Sequence, residues 1–380
     1  MRHVLSVAAL ALAALSVSLC AGELALRRLT AFPITESSNM RSHPELLYTA
    51  DPALADIDGN GFRNVDPPGD RYDIVAIGDS HTYGNNAQAN EAWPARVAAA
   101  TGRSVYNLGM GGYSIYQYDV LFDAALALDP DQIIIAIYPA NDWMPDCRLL
   151  ALPAWRERSE RLGLEPPCAA EAAVPAAARR TLRAFLLDTA IGSALHQLVW
   201  QPLRSRPARA DAGGRAELVD FEVGGHHFVF ALPRLTNQSR GTDLSHPSTA
   251  AAWADGLRLI RRWREVAGDR GIGLAFAVIP SKQRVLRGWA ARHGRPLPEE
   301  LEQLTANEIA ATQALVHELR SLEVPLVDAL PAVLDAFEDA LGDGTMLYPP
   351  GFDGHPYARG HAAYAEAILP LIPPASSTRD

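Results

Sequence analysis

The chain has 380 residues, of which 48% are hydrophobic, so it is long enough to bury a sizeable core. Its 34 basic residues are outnumbered by 44 acidic ones, which gives a formal net charge of −10. This balance argues against a nucleic-acid-binding protein, which would present a basic face. The sequence also lacks a glycine-rich phosphate loop and any zinc-type spacing of His and Cys, so it predicts no cofactor and no metal site.

The N-terminal residues predict export. Val4 to Gly22 contains no charged residue and is close to the length needed to cross a bilayer, and Arg2 precedes it. We interpret residues 1–22 as either a cleaved signal peptide or a retained N-terminal membrane anchor, with at most a single membrane pass. Either alternative places the remaining chain in the periplasm or outside the cell, and the anchored form would be held at the inner membrane. Residues 23–70, interrupted by Pro and Gly, predict an extended lead-in.

The regular part of the chain begins near residue 71, where short apolar runs alternate with helical patterns. Such an alternation indicates βαβ units and a central parallel sheet covered by helices on both faces. Asn90 is predicted to cap the start of a helix and Gly102 to end it. The predicted strands are YDIVAI (72–77), SVYNLGMGG (104–112), DQIIIAIYP (131–139), GLAFAVIP (273–280) and VPLVDAL (324–330). The predicted helices are 90–102, 118–128, 248–268, 306–322 and 357–372.

The alternation is interrupted at about 147–250 by a segment rich in Pro, Ala and Arg, which we interpret as a large insertion after the third strand. Two alternating runs around Gly224 and Gly225 predict a β hairpin within it. Cys147 and Cys168 lie close together in sequence, and an oxidising compartment would allow them to pair. The alternative, two unrelated buried thiols, stays open at this point.

Polar residues follow four of the predicted strands. The first strand leads to Ser80, the second ends in the glycine-rich turn 109–112 and the third leads to Asn141, while Asp353 and His355 lie beyond the fifth strand. Ligands of open parallel sheets bind beyond the carboxyl ends of the strands, so these groups should share one edge. A serine with a histidine base and a carboxylate partner is suited to acyl transfer, and amide groups can bind the oxyanion.

Four blocks in this order, GDSHTYG, NLGMGGYS, ANDW and DGHPYARGH, resemble those of the SGNH, or GDSL, hydrolases. The resemblance covers residues 72–146 and 250–372. It implies a flavodoxin-like three-layer α/β/α sandwich and the cleavage of esters. A hydrolase domain at 71–375, carrying the insertion, is the organisation expected from it.

The resemblance also implies a role for each motif residue. Ser80 corresponds to the nucleophile, and its own N–H to one oxyanion donor. Gly112 would supply a second backbone donor and Asn141 a side-chain donor. His355 corresponds to the base and Asp353 to its partner, although the family's usual Asp-x-x-His spacing is shortened here to Asp-x-His.

Two other histidines bear on this assignment. His361, six residues after His355, competes with it for the role of base, but its position in a predicted helix favours capping or packing. His81 stands where an apolar residue is common in the family. Asp79, beside the nucleophile, is expected to stabilise its loop through backbone hydrogen bonds rather than to take part in the chemistry.

The sequence therefore predicts an exported serine esterase that cleaves an O-acetyl or other short acyl ester through an acyl-enzyme. The substrate would be an ester or an acylated carbohydrate, not a nucleic acid. The alternative is an SGNH-type O-acyltransferase that acts on envelope polysaccharide, because Pro280-Ser281-Lys282 resembles a Pro-x-Lys stretch of alginate-acetylation proteins. A catalytically silent binding domain is a third class, which the intact set of candidate residues argues against.

Overall fold

The computed structural model describes residues 16–22, 40–64, 69–168 and 218–374. Residues 16–22 are helical, whereas most of the predicted signal or anchor segment, residues 1–15, lies outside the described residues. The central part of the predicted insertion, 169–217, lies outside them as well. In the described ranges, no helix combines the length and the apolar composition that a membrane crossing requires.

The centre of the molecule is a five-stranded parallel sheet with strand order β4-β3-β5-β8-β9. If these five strands are numbered one to five along the chain, their order across the sheet is 2-1-3-4-5. This is the flavodoxin-like order, so the predicted fold class is confirmed. Two further pairs, β1 with β2 and β6 with β7, form separate antiparallel hairpins. The strands are β1 (Met40–His43), β2 (Leu47–Ala50), β3 (Ile74–Ile77), β4 (Val105–Asn107), β5 (Gln132–Ile137), β6 (Leu218–Val223), β7 (His226–Ala231), β8 (Gly273–Val278) and β9 (Leu326–Asp328).

Helices cover both faces of this sheet. In β5, Ile133 and Ile135 belong to one apolar core and Ile134 to the other, because successive side chains of a strand point to opposite faces. Burial against both cores explains why this strand is apolar from Ile133 to Ile137, as expected for a strand buried on both sides. Apart from residues 16–22, the α-helices of the described residues are α1 (Ser80–Tyr83), α2 (Trp93–Thr101), α3 (Ile115–Ala127), α4 (Cys147–Leu150), α5 (Pro153–Leu162), α6 (Leu232–Thr242), α7 (Pro247–Asp269), α8 (Lys282–Arg292), α9 (Glu299–Ser321), α10 (Leu330–Gly342) and α11 (Ala358–Ile368).

The start of α2 differs from the prediction. Asn90 lies in a 3₁₀ turn, Ala89–Glu91, and the helix begins at Trp93 after Ala92. The reason is Pro94, which fits the first turn of a helix but would remove an internal hydrogen bond from a helix that began at Asn90. The predicted end at Gly102 is confirmed, since its φ is 68° and its N–H donates to the Ala98 carbonyl.

The described part of the lead-in, residues 40–64, is a packed hairpin and turn rather than an extended segment. Leu46, Leu54 and Phe62 are buried in the core beside α3, and burial of apolar side chains stabilises this arrangement. Asn64 closes the edge of the sheet. Its side-chain amide donates to the Asn107 carbonyl over 3.1 Å and accepts the Asn107 N–H over 2.9 Å, as a neighbouring strand would.

Both described ends of the insertion are fixed to the core. At the first end, Leu149 and Cys168 are buried in the core that contains α3, and the predicted pairing of Cys147 with Cys168 is present as a disulfide. The predicted hairpin is confirmed as β6 and β7, joined by Gly224 and Gly225 with φ of 56° and 80°, values that favour glycine. Its apolar face, Phe221, Phe228 and Phe230, is buried in the core on the α8 and α10 side.

Candidate active site

The loop that follows β3 presents Ser80 at the first residue of α1. Asp79 caps this short helix by accepting the His81 N–H over 2.9 Å, so the expected role of Asp79 in the loop is confirmed. Gly78 has no space for a side chain, because a Cβ there would lie 2.0 Å from Thr82 Oγ1. The turn therefore depends on glycine at this position, and it holds the largely buried Ser80 at the carboxyl edge of the sheet.

Ser80, His355 and Asp353 form a continuous hydrogen-bonded series. Ser80 Oγ lies 2.7 Å from His355 Nε2, and His355 Nδ1 lies 2.6 Å from Asp353 Oδ1. These are the contacts of a nucleophile, a base and a carboxylate that fixes the tautomer of the base. The structure therefore brings together the three residues that the motifs predict for this arrangement, although 275 positions separate Ser80 from His355.

The shortened Asp-x-His spacing has a structural explanation. Asp353 Oδ1 accepts the backbone N–H of His355 over 2.9 Å as well as the ring nitrogen, which closes an Asx turn. Burial alone would raise the pKa of Asp353, but the hydrogen bonds from His355 and from Asn86 outweigh it and hold that pKa well below its usual range. Asp353 therefore remains a carboxylate at neutral pH.

Asn86 is a positioning residue for which the sequence predicts no role. Its side-chain Nδ2 donates to Asp353 Oδ2 over 2.8 Å and to the His355 carbonyl over 3.1 Å. Its φ of 63° is a left-handed conformation that Asn tolerates better than most residues. The loop after α1 is thus hydrogen-bonded to the loop that carries His355. The sequence Gly84-Asn85-Asn86 contains residue types that favour left-handed turns, and this was the signal from which Asn86 could have been found.

The predicted oxyanion donors lie around Ser80. Asn141 Nδ2 is 3.4 Å from Asp79 Oδ2, and the same oxygen lies 3.2 Å from Ser80 Oγ. A Cβ on Gly111 would lie 3.8 Å from the Ser80 Cβ, so the glycine turn borders Ser80 directly. Gly112 has φ of 75°, and within the described residues its N–H has no hydrogen-bond partner.

Tyr48, from the lead-in hairpin, orients this turn. Its hydroxyl donates to the Gly111 carbonyl over 2.8 Å. Because a trans peptide directs its C=O and N–H to opposite sides, this contact turns the Gly112 N–H away from Tyr48. The sequence predicts no contact between the lead-in and the site, since 63 residues separate the two partners.

The two other histidines of the motifs, His361 and His81, have surroundings different from those of His355. His361 is buried in α11, where its Nε2 lies 3.0 Å from the Asn85 carbonyl, and it does not contact Ser80. Burial lowers the pKa of His361 to about 4, so it is neutral at physiological pH. His81 is also buried, with its ring centroid 4.1 Å from that of Tyr138 and 4.9 Å from that of His355. Burial, reinforced by the neighbouring histidines, lowers the pKa of His81 well below its ordinary value.

Three solved structures are similar to this chain at low identity. A lipolytic protein of the G-D-S-L family from Desulfitobacterium hafniense DCB-2 shares 12% identity with a TM-score of 0.36, over 79% of this chain and 98% of that one. An acylhydrolase from Bacteroides fragilis NCTC 9343 shares 12% with a TM-score of 0.34, over 80% and 87%. Phospholipase A1 from Streptomyces albidoflavus NA297 shares 13% with a TM-score of 0.39, over 78% and 96%.

No protein-family model matches the chain, and comparison with curated proteins gives no match. What the site can do follows from its own geometry. A serine hydrogen-bonded to an imidazole, beside the Asn141 amide and the Gly112 N–H, is equipped to attack a carbonyl group.

Proposed function

We propose that this protein is an exported serine esterase that cleaves short acyl esters, including O-acetyl esters, through an acyl-enzyme. The observation that carries the proposal is the 2.7 Å contact of Ser80 Oγ with His355 Nε2, continued by the 2.6 Å contact of His355 Nδ1 with Asp353. A serine hydroxyl is a weak nucleophile unless an adjacent base accepts its proton, and this series supplies that base.

The reaction has two halves. Ser80 Oγ attacks the ester carbonyl carbon while His355 Nε2 takes the hydroxyl proton, and the same proton then passes to the departing alcohol as the ester C–O bond breaks. Water then attacks the acyl carbon while His355 takes one of its protons, and this proton passes to Ser80 Oγ as the bond between Oγ and the acyl carbon breaks and the acid leaves. Asp353 accepts the Nδ1–H throughout and stabilises the imidazolium, which forms twice in each cycle.

The charge that develops on the carbonyl oxygen needs donors. In this proposal the N–H groups of Ser80 and Gly112 and the Asn141 amide bind it. The Asn141 amide lies near the nucleophile through its contact with Asp79, and the Gly112 N–H is not used by another described residue. Preorganised donors of this kind stabilise the tetrahedral intermediate without reorganisation during the reaction.

Hydrolysis of p-nitrophenyl acetate by the purified protein tests the proposal. The wild type should release nitrophenol, and Ser80→Ala should lower the rate by at least about 10³-fold. Ser245→Ala, at an exposed serine between α6 and α7, is the matched control and should retain the rate. A fluorophosphonate should label the Ser80 peptide of the wild type. A correctly folded Ser80→Ala protein with full activity would show that another residue is the nucleophile.

The acyltransferase alternative uses the same acyl-enzyme, with a sugar hydroxyl in place of water. One observation favours a carbohydrate at this site. In the sequence, Phe352 and Tyr357 flank the segment that contains Asp353 and His355, and their side chains are 47% and 41% exposed. Exposed aromatic rings are suited to stacking on the apolar faces of sugars. Product analysis with an acetylated donor, with and without polysaccharide, distinguishes the two: acetylated polysaccharide indicates transfer and free acetate alone indicates hydrolysis.

We also propose that the chain is exported, either freed by cleavage or retained at the inner membrane by residues 1–22. The uncharged run from Val4 to Gly22 and the Cys147–Cys168 disulfide support this, because disulfides persist in oxidising compartments. A phosphatase fused after residue 30 should be active outside the cytoplasm. An inactive fusion, together with full-length protein in the cytosol, would overturn the localisation.

A further inference from the structure

Lys282, the only lysine of the chain, is buried beside the candidate active site. It is the first residue of α8, and its ammonium group donates to the carbonyl oxygens of Pro349, Gly351 and Asp353 over 3.0, 2.7 and 2.7 Å. A lysine ammonium has three donors, and here all three are used by one short loop. This loop, residues 349–355, carries the carboxylate and the base, and we name it the Asp–His loop.

Two aromatic side chains from the hairpin of the insertion lie beside the Lys282 ammonium group. The Phe228 and Phe230 rings of β7 have centroids 5.7 and 5.1 Å from Nζ, a distance at which the ring faces attract a cation. The hairpin also binds the loop directly, since the Val229 N–H donates to the Pro350 carbonyl over 2.9 Å. The hairpin and Lys282 therefore bind successive residues of the Asp–His loop.

Retaining a lysine in this place is energetically costly. Burial lowers the pKa of Lys282 to about 7, and the nearby Asp353 charge only partly opposes that effect. An apolar side chain would avoid the desolvation of a charge, but it would leave three carbonyl groups of the loop without a donor. The arrangement is thus better explained by the geometry of the loop than by stability.

We propose that Lys282, supported by the aromatic face of the β6–β7 hairpin, is a positioning residue that fixes the Asp–His loop in the geometry needed for catalysis. It does not touch the reacting atoms. It binds the backbone of Asp353, whose carboxylate orients His355, while Asn86 binds the same carboxylate from the opposite loop. The hairpin of the insertion is accordingly part of the structure that supports the active site.

The test compares Lys282→Met with Arg287→Met. Arg287 lies on the same helix and also donates to backbone, at the Glu302 carbonyl, but it does not contact the Asp–His loop. The kinetic readout depends on the proposed esterase function. Lys282→Met should lower kcat for p-nitrophenyl acetate by about tenfold to a hundredfold with little change in KM, because small displacements of catalytic groups are costly in turnover. Arg287→Met should behave as the wild type.

A second readout does not depend on the substrate. The proton shared by His355 Nδ1 and Asp353 should give a downfield proton NMR resonance in the wild type, assigned by its loss in His355→Gln. Lys282→Met should shift or broaden this resonance and Arg287→Met should not. If the wild type hydrolyses no ester, the proposed function fails and the resonance alone decides the role of Lys282. A folded Lys282→Met protein with an unchanged resonance, or with unchanged kcat in an active enzyme, overturns the proposal.

Should Lys282→Met fail to fold, Phe230→Leu keeps the lysine and an apolar side chain but removes one ring face. It should lower kcat in the same direction by a smaller factor and should perturb the same resonance. A folded Phe230→Leu protein that matches the wild type in both measurements would overturn the part of the proposal that concerns the hairpin.

Discussion

At the scale of single residues, the candidate site depends on contacts that join distant parts of the chain. Asp353 is bound by His355 two residues away, by Asn86 across 267 positions and by Lys282 across 71. Each of these partners constrains a different atom of Asp353: one carboxylate oxygen, the other carboxylate oxygen and the backbone carbonyl. The orientation of the imidazole is thus determined by three separate segments.

Point variants of this series should have a characteristic ranking. Ser80→Ala and His355→Ala should each lower turnover about as much as the double variant, because the two residues act as one unit. Asn141→Ala retains the nucleophile and should cost about 10² to 10³ in kcat. Ester hydrolysis by folded proteins, checked by circular dichroism, gives the ranking. Additive losses in the double variant would mean that the two residues act independently.

Tyr48→Phe tests the contribution of the lead-in hairpin to the glycine turn. Loss of the hydroxyl removes one hydrogen bond to the Gly111 carbonyl, and a net value of about 1 kcal/mol corresponds to roughly a fivefold fall in kcat. Tyr72→Phe is the matched control, since its hydroxyl accepts the Gly69 N–H far from the nucleophile. Equal kcat in the two variants would show that the turn keeps its geometry without Tyr48.

At the scale of elements, the five strands of the sheet could be predicted because their signals are local, but the predicted runs 104–112 and 324–330 are longer than β4 and β9, which contain three residues each. The run Ile133–Ile137 is apolar in every residue, and a strand buried on both faces requires this. Ser80 and Asn141 follow such strands directly, so their common edge could be predicted as well.

Lys282 and Asn86 could not be assigned a role in this way, because their partners are loops whose path depends on tertiary packing. Helix α10, between β9 and the Asp–His loop, was missed for lack of a polar N-cap, since Ala329 precedes it.

The Cys147–Cys168 disulfide should stabilise the described start of the insertion. It closes a loop with a sequence separation of 21, for which the chain-entropy relation gives about 3 kcal/mol. A variant with both cysteines changed to serine should lose about that much unfolding free energy in urea denaturation. Mass spectrometry of unreduced peptides checks the pairing itself, and two free thiols in protein from an oxidising compartment would contradict it.

At the scale of the whole molecule, buried histidines should make the fold sensitive to moderate acid. The folded-state pKa of His361 is about 4, below its ordinary value of 6.5, so between these pH values the unfolded chain binds a proton that the folded chain does not. Stability should therefore fall as pH decreases through this window, by about 3 kcal/mol for His361. The lowered pKa of His81 also decreases stability as the pH falls. Burial raises the pKa of Asp79 and of Asp142, so protonation of these two carboxyls in the folded chain increases stability as the pH falls.

His361→Gln isolates the contribution of one histidine, because the opposing carboxyls are present in both proteins. The glutamine amide can still donate to the Asn85 carbonyl, which His361 Nε2 contacts in the wild type. Urea denaturation at pH 7 and at pH 4 should show a smaller loss of unfolding free energy in the variant. An identical loss in both proteins would mean that His361 is accessible to protons in the folded state.

The edges of the sheet have a consequence for the behaviour of the protein at high concentration. Both edge strands, β4 and β9, contain only three residues, and the side chain of Asn64 occupies the backbone donor and acceptor of Asn107 on β4. An exposed edge strand is a template on which a second molecule can add its own strand, and very short or covered edges prevent this. Neither edge strand of this sheet is therefore a long, open template for another strand. Concentrated solutions of the folded protein should therefore resist aggregation by strand addition at this sheet, although the sheet is among the most apolar parts of the chain.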